Sequence, residues 1–275
     1  MYKYLIISII ILSFIAIFIP GVGPSDLIIT LLSVTTFLFG IFLAFTIANR
    51  QSRFGSIRTA LRKDDALLLS IYKLSASFGP KVQNKCRILI DDFLIASIDY
   101  KLVDYTKSIA KFNKLFDLFN KIEPETKSQE AIYENIISAL KESTGNKKEL
   151  IHRLNEKMLA VEWGSLLILT AIILMSLFII NNNSIASIII IVLLGTSMVL
   201  FLLILKSLDS LRWKEGSWIW DPLVSLFVEL ELSPYIPKYI IGRGVKLQKG
   251  ITYRVTEYVH PYPDFSDKEI EIFEN

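Results

Sequence analysis

Four uninterrupted apolar runs set the terms on which this chain can fold: Tyr4 to Pro20, Leu27 to Ala48, Val161 to Ile180 and Ile185 to Leu205. Crossing a hydrocarbon core takes about 20 apolar residues in a helix, and none of these runs holds a Lys, Arg or Asp. The one acid among them, Glu162, stands at an end, where it reaches an interface rather than the apolar middle. Only GVGPSD separates the first two runs and only NNNS the last two; both are turn-forming stretches that permit tight antiparallel hairpins. The expectation is four transmembrane helices in two hairpins. Composition agrees, since a chain of 275 residues that is 52% apolar is too greasy for an ordinary soluble domain.

The first run is N-terminal and follows Lys3, as a secretory signal would. Its apolar core is longer than the usual ~7–15 residues and lacks a small-x-small cleavage site, which favours an uncleaved anchor. Basic residues resist translocation when they flank a span. Arg50, Arg53, Arg58, Arg62 and Lys63 follow the second run, Lys147, Lys148, Arg153 and Lys157 precede the third, and Lys206, Arg212 and Lys214 follow the fourth; the hairpin turns have none. Both termini and the central segment are therefore expected in the cytoplasm of a multi-pass cell-membrane protein. The lone Cys86 cannot form an intrachain disulfide and fits that reduced compartment.

Between the hairpins, residues 49–160 alternate apolar and charged residues at three-to-four spacing, the pattern of helices with one buried face. Gly79-Pro80, Pro124 and Ser143-Thr144-Gly145 are expected to divide this cytoplasmic domain into three or four helices. From Ala48 to Phe78 the only breaker is Gly55, so the second span should run on into the cytoplasm as one long helix. In the C-terminal region, 206–275, SWIWDPLVSLFVELELSPYIP reads equally as an interfacial helix anchored by Trp213, Trp218 and Trp220, or as an amphipathic helix packed on the cytoplasmic bundle. VKLQKGITYRV, alternating about Lys249-Gly250, reads as a short β-hairpin. The expected class is an all-α membrane protein: a first hairpin over 1–48, the helical domain over 49–160, a second hairpin over 161–205, and a cytoplasmic tail.

Chemistry-bearing motifs are absent. No HExxH, phosphate-cradling glycine loop, GxSxG or metal-spaced Cys/His set occurs, and His152 and His260 are far apart. Asp64-Asp65 and Asp91-Asp92 are adjacent pairs whose side chains diverge by about 100° on a helix; Arg87 lies within i+4 reach of Asp91, so surface ion pairing is expected of them. No catalysis, cofactor or metal is expected. The net charge of +3 comes from near balance, which argues against a nucleic-acid partner.

The informative stretch is the second run with its continuation, LIITLLSVTTFLFGIFLAFTIANRQSRFGSIRTALRK. Phe37, Ile41 and Phe45 recur every four residues and form one stripe, which Ser33 extends toward the outer end. Such a stripe faces lipid, packs on a neighbour, or, if several copies ring an axis, makes a hydrophobic constriction that gates ions by dewetting. Gly40 and Ala44 on an adjacent face permit close helix packing.

The run IFLAFTIANRQSRFGSIR resembles a segment of bestrophin channels and of prokaryotic bestrophin-like proteins: an apolar helix ending in a phenylalanine, then a polar stretch, an Arg-aromatic pair and another Arg. Phe45, Arg53-Phe54 and Arg58 match it in order and spacing. The two paired spans, the helical insert between them and the cytoplasmic tail match in arrangement. The resemblance implies a homo-pentameric channel for inorganic ions whose second helix lines a hydrophobic neck. Carried onto this sequence, the neck residues are Phe37, Ile41 and Phe45, while Arg53, Phe54 and Arg58 stand at the cytoplasmic mouth or a subunit contact. As positive-inside residues, Arg53 and Arg58 equally need no role beyond topology and headgroup contact; a third reading pairs them with Asp64 or Asp65 across subunits. Departures are Thr46 and Ile47 after the neck phenylalanine and the lack of an acidic cluster after the last span, where Asp209 and LRWKEGSW stand. Calcium gating is not expected, because no run there supplies the 6–8 oxygens calcium prefers. The alternative to a channel is a membrane-anchored scaffold or sensor whose helical cytoplasmic domain binds a partner.

Overall fold

The computed structural model describes residues 2–19, 21–211, 219–241 and 247–274. The chain is mostly helical, with one small sheet near the C-terminus. It divides into two compact units, one made of Met1–Phe54 with Lys157–Trp213 and the other of Gly55–Glu156 with Lys214–Asn275. Each is described by itself.

The first unit contains α1 (Tyr2–Phe18), the N-terminal part of α2 (Asp26–Ser75), α6 (Ala160–Ile180) and α7 (Ile185–Asp209). Its core is formed by Ala16, Phe39, Leu43, Leu166, Ile173, Leu177, Ile191, Met198 and Leu205, drawn from all four helices. Three stretches, in α2, α6 and α7, are long and apolar enough to cross a membrane by length and composition. The first expected span falls short of that measure: α1 has 17 residues, about 25 Å at 1.5 Å per residue against a core of about 30 Å. Its helix stops just ahead of Pro20, and the residue before a proline is steered away from helix.

Helix α1 is nonetheless a packed member of this unit. A side chain at Gly195 of α7 would meet Leu12 Cδ1 at 2.8 Å and Leu174 Cδ2 at 3.1 Å, so the missing Cβ is what lets Leu12 seat against α7. The turn after α1 is tied to the end of α6. The amides of Val22 and Gly23 donate to the Ile179 carbonyl at 2.9 and 3.1 Å, satisfying a C-terminal orphan acceptor. Asn181 Nδ2 donates to the Ala16 carbonyl at 2.8 Å in a buried bond. Gly21 is obligatory there, since a Cβ would lie 2.3–2.7 Å from the carbonyls of Asn181, Ile179 and Phe178. At the opposite end of α6, Glu162 Oε2 accepts from the Leu159 amide at 2.8 Å and caps the helix.

The second unit gathers the C-terminal part of α2 with α3 (Pro80–Asp99), α4 (Ile109–Phe119), α5 (Lys127–Asn155), α8 (Asp221–Glu229) and the four-residue α9 (Lys238–Ile241). As expected, α2 passes through Gly55 without interruption and the chain breaks at Gly79-Pro80, where Gly79 takes φ 91°. The expected break at Ser143–Gly145 does not occur. Ser143, Thr144 and Gly145 lie inside α5, because the Ser143 hydroxyl is spent on Asp64 and Thr144 Oγ1 donates to the Leu140 carbonyl at 2.9 Å, leaving neither to compete with the helix.

The sheet has the order β1 (Tyr235–Pro237), β2 (Thr252–Glu257), β3 (Glu269–Glu274), parallel then antiparallel. The hairpin expected around Lys249-Gly250 is therefore corrected. The turn is present, with Gly250 at φ 77°, but Leu247 and Gln248 are not strand, and β2 pairs instead with β1 and β3. Gln248 gives its amide to the Tyr253 hydroxyl at 2.9 Å rather than to a ladder; Val245 and Lys246 lie outside the described residues. Two acids of α3 hold the sheet. Arg254 grips Asp91 with two bonds of 2.8 and 2.6 Å, and Asp99 accepts from Tyr235, Tyr258 and Lys268 at 2.8, 2.8 and 2.7 Å. Asp91 is thus partnered across the fold, while Arg87 turns to Asn84 and Glu231. Of the tryptophans read as interfacial anchors, Trp220 is buried and α8 buries Val224, Leu226 and Phe227, as the packed-helix reading expects; Trp213 and Trp218 lie outside the described residues.

Candidate functional site

Within the first unit, α2 shows two faces. Thr35, Phe39, Leu43, Thr46, Arg50 and Arg53, spaced by three or four residues, are buried. Phe37, Ile41 and Phe45 are 67%, 42% and 73% exposed and form the predicted stripe on the other side. Ser33, one step toward the N-terminal end of the stripe, donates its hydroxyl to the Ile29 carbonyl at 2.9 Å, so that its donor is satisfied within the helix. Gly40 is open, and a Cβ added there would meet nothing within 4 Å. An exposed face of phenylalanines, isoleucine and a bare glycine is unfit for water; in a bilayer it meets acyl chains or another helix.

The C-terminal end of this face is fixed by a junction that spacing along the chain does not reveal. Asp209, the last residue of α7, takes Arg50 Nη1 at 3.4 Å and the amide of Met158 at 3.0 Å on the same oxygen, Oδ1. Arg53 Nη1 donates to the Asp209 backbone carbonyl at 3.0 Å and lies 3.8 Å from Oδ1. Both guanidinium side chains are at most 4% exposed. One carboxylate therefore joins α2, α7 and the segment leading into α6. It does so at a helix C-terminus, where the negative end of the dipole adds to the attraction for the two arginines. Of the three residues read as mouth or contact, Arg53 faces inward to Asp209, Phe54 is half-buried and Arg58 is exposed.

A second constellation lies in the other unit. Lys147 Nζ of α5 donates to both oxygens of Asp64 at 2.6 and 2.5 Å and to Ser143 Oγ at 2.8 Å. It also sits 3.9 Å above the Phe112 ring centre and 4.6 Å above that of Phe93. Asp64 is thus a buried ion-pair member rather than a surface one, because Ser143 and Lys147, one turn apart on α5, present their polar ends on one face. Burial holds the Lys147 ammonium below its usual range against the pull of Asp64. Its neighbour Asp65 is pushed up to about 7, first by burial and then by the charge of Asp64. Cys86, also buried, has its thiol pushed up to about 12 by burial.

The Asp65 shift has a stability consequence. Its carboxyl holds a proton more tightly folded than unfolded, so folding is penalised as pH rises from about 4 to about 7 and the penalty is complete above that window. Asp65→Asn should remove that part of the slope. The reaction rate of Cys86 with a thiol-reactive dye reports opening of this unit, and the ratio of wild-type to variant rates should climb between pH 5 and 7.5. A flat ratio would refute the assignment.

Long apolar helices, a helical body and a model of the Bestrophin-like domain that matches residues 23–210 together define a membrane protein. The match covers well over half of the sequence, from the turn before α2 to just beyond Asp209, and the chain belongs to the bestrophin-like family. No curated protein and no solved structure matches the chain.

Proposed function

We propose that this chain is one subunit of an oligomeric ion channel of bestrophin-like type, pentameric by analogy, in the cell membrane. α2 forms the neck, with Phe37, Ile41 and Phe45 turned to the common axis. α1, α2, α6 and α7 all span, α1 by local thinning of the bilayer, with both termini and the helical body cytoplasmic. The observation that carries this reading is the exposed four-spaced stripe on a helix whose opposite face is spent on its own chain. A narrow ring of such side chains excludes water, and an ion that must shed hydration there meets a barrier without any fixed charge.

Around that neck the basic residues divide their work. Arg58, exposed, contributes positive potential at the cytoplasmic mouth, and Phe54 lies at the subunit contact. Arg53 acts from within its own chain, holding the inner end of α2 to Asp209. Pairing of Arg53 or Arg58 with Asp64 across subunits is disfavoured, because Asp64 is already taken by Lys147.

Replacing Phe37, Ile41 and Phe45 together by Ala should widen and wet the neck. Ion flux into liposomes is expected to rise on the order of tenfold, the effect of about 1.4 kcal/mol off a barrier. Equal, negligible flux from wild type and variant, with a protein that elutes as a monomer in mild detergent, would leave the scaffold reading in its place.

A further inference from the structure

We infer that the outer edge of β3 is a docking edge for an extended basic segment of a partner protein, added as a fourth strand of the C-terminal sheet. A sheet edge carries a row of unpaired amides and carbonyls, and proteins usually cover it or break it up. Here the two edges differ. β1, at one side, is buried throughout. β3, at the other, is exposed at all six positions, and among the described residues its only ladder is with β2. Its residues Glu269, Ile270, Glu271, Ile272, Phe273 and Glu274 include no proline and no glycine, so nothing in the strand itself blocks pairing.

The side chains say what would pair. Alternation along the strand puts Glu269 and Glu271 on one face with Phe273, and Ile270 and Ile272 on the other with Glu274. Ile270, Ile272 and Phe273 are 48%, 75% and 45% exposed, apolar surface that a neighbouring strand would cover. Among the described residues none of the three carboxylates is in an ion pair, and the nearby Lys238 is already bound to Glu257. A second copy of β3 is a poor occupant, since two such strands would bring glutamates together, and like charges across a ladder are destabilising. A strand alternating Lys or Arg with apolar residues answers both faces: its cations meet Glu269 and Glu271 while its apolar residues cover Ile270 and Ile272. Backbone bonds would supply the affinity and the alternation the specificity.

The probes are fluorescent six-residue peptides: one alternating Lys and Val, one alternating Glu and Val, and the Lys-Val peptide with alternate backbone amides methylated. They are titrated against the full chain in detergent and followed by anisotropy. The Lys-Val peptide should bind at least tenfold more tightly than the other two, and its affinity should fall as salt rises. Glu269→Lys with Glu271→Lys should reverse the preference to the Glu-Val peptide. Glu271→Gln, a smaller change at an exposed position, should weaken Lys-Val binding alone. Equal binding of the methylated peptide would reduce the effect to charge attraction and overturn the edge. Unaltered preference in the charge-reversed variant, with the wild-type elution profile kept, would overturn it equally.

Discussion

Replacement of Lys147 by Ala is expected to cost the helical unit about 3–5 kcal/mol, because it leaves the Asp64 carboxylate buried without its counter-ion. Against a typical total of about 5–15 kcal/mol, that is enough to unfold a large share of the molecules at moderate temperature. The magnitude follows from what Lys147 does: it satisfies both oxygens of Asp64 and fills the space over Phe93 and Phe112. Replacing the whole pair, Asp64→Leu with Lys147→Met, should be far milder, since the desolvation cost of two ions disappears with their attraction. The readout is the midpoint of thermal unfolding in detergent, followed through dye labelling of Cys86. A single Lys147→Ala variant as stable as wild type would mean that water reaches Asp64 and that the pair is not sealed.

The second large effect belongs to Asp209. Asp209→Ala removes the acceptor shared by Arg50 and the Met158 amide, with an expected loss on the order of 3 kcal/mol. Asp209→Asn keeps an acceptor for that amide but loses the charge, and should fall between the two. The measure is survival of the monodisperse species after heating, in mild detergent. An Asn variant indistinguishable from wild type would show that the carboxylate's charge contributes nothing and that only its shape is used. On the channel reading, the same two variants should also disturb flux, because they free the inner end of the helix that carries Phe37, Ile41 and Phe45.

The sequence made the local features of this fold legible and left its partnerships obscure. The long α2 could be foreseen because a single Gly55 is too weak to stop a helix, and the division at Gly79-Pro80 because proline fixes the chain there. The stripe of Phe37, Ile41 and Phe45 was equally plain from spacing. Its covering was not, since an aromatic or branched aliphatic side chain serves lipid, a neighbouring helix or a neck with the same chemistry. Asp64 finds Lys147 across 83 residues and Asp91 finds Arg254 across 163, distances over which helical periodicity carries no information. Asp209 was visible only as a lone acid after the last apolar run, with no acidic cluster around it. The signal that could have found it is local: an acid ending an apolar span in a chain whose preceding spans are flanked by arginines has strong reason to seek one of them. The break expected at Ser143–Gly145 failed for the same cause, a tertiary bond that captured the hydroxyl before it could compete with the backbone.

The notch at Gly195 bears on the shortest helix. Leu12 lies in a depression that only a residue without a side chain can provide. Trimming the first eighteen residues would uncover that depression and strip the amide of Asn181 of the Ala16 carbonyl.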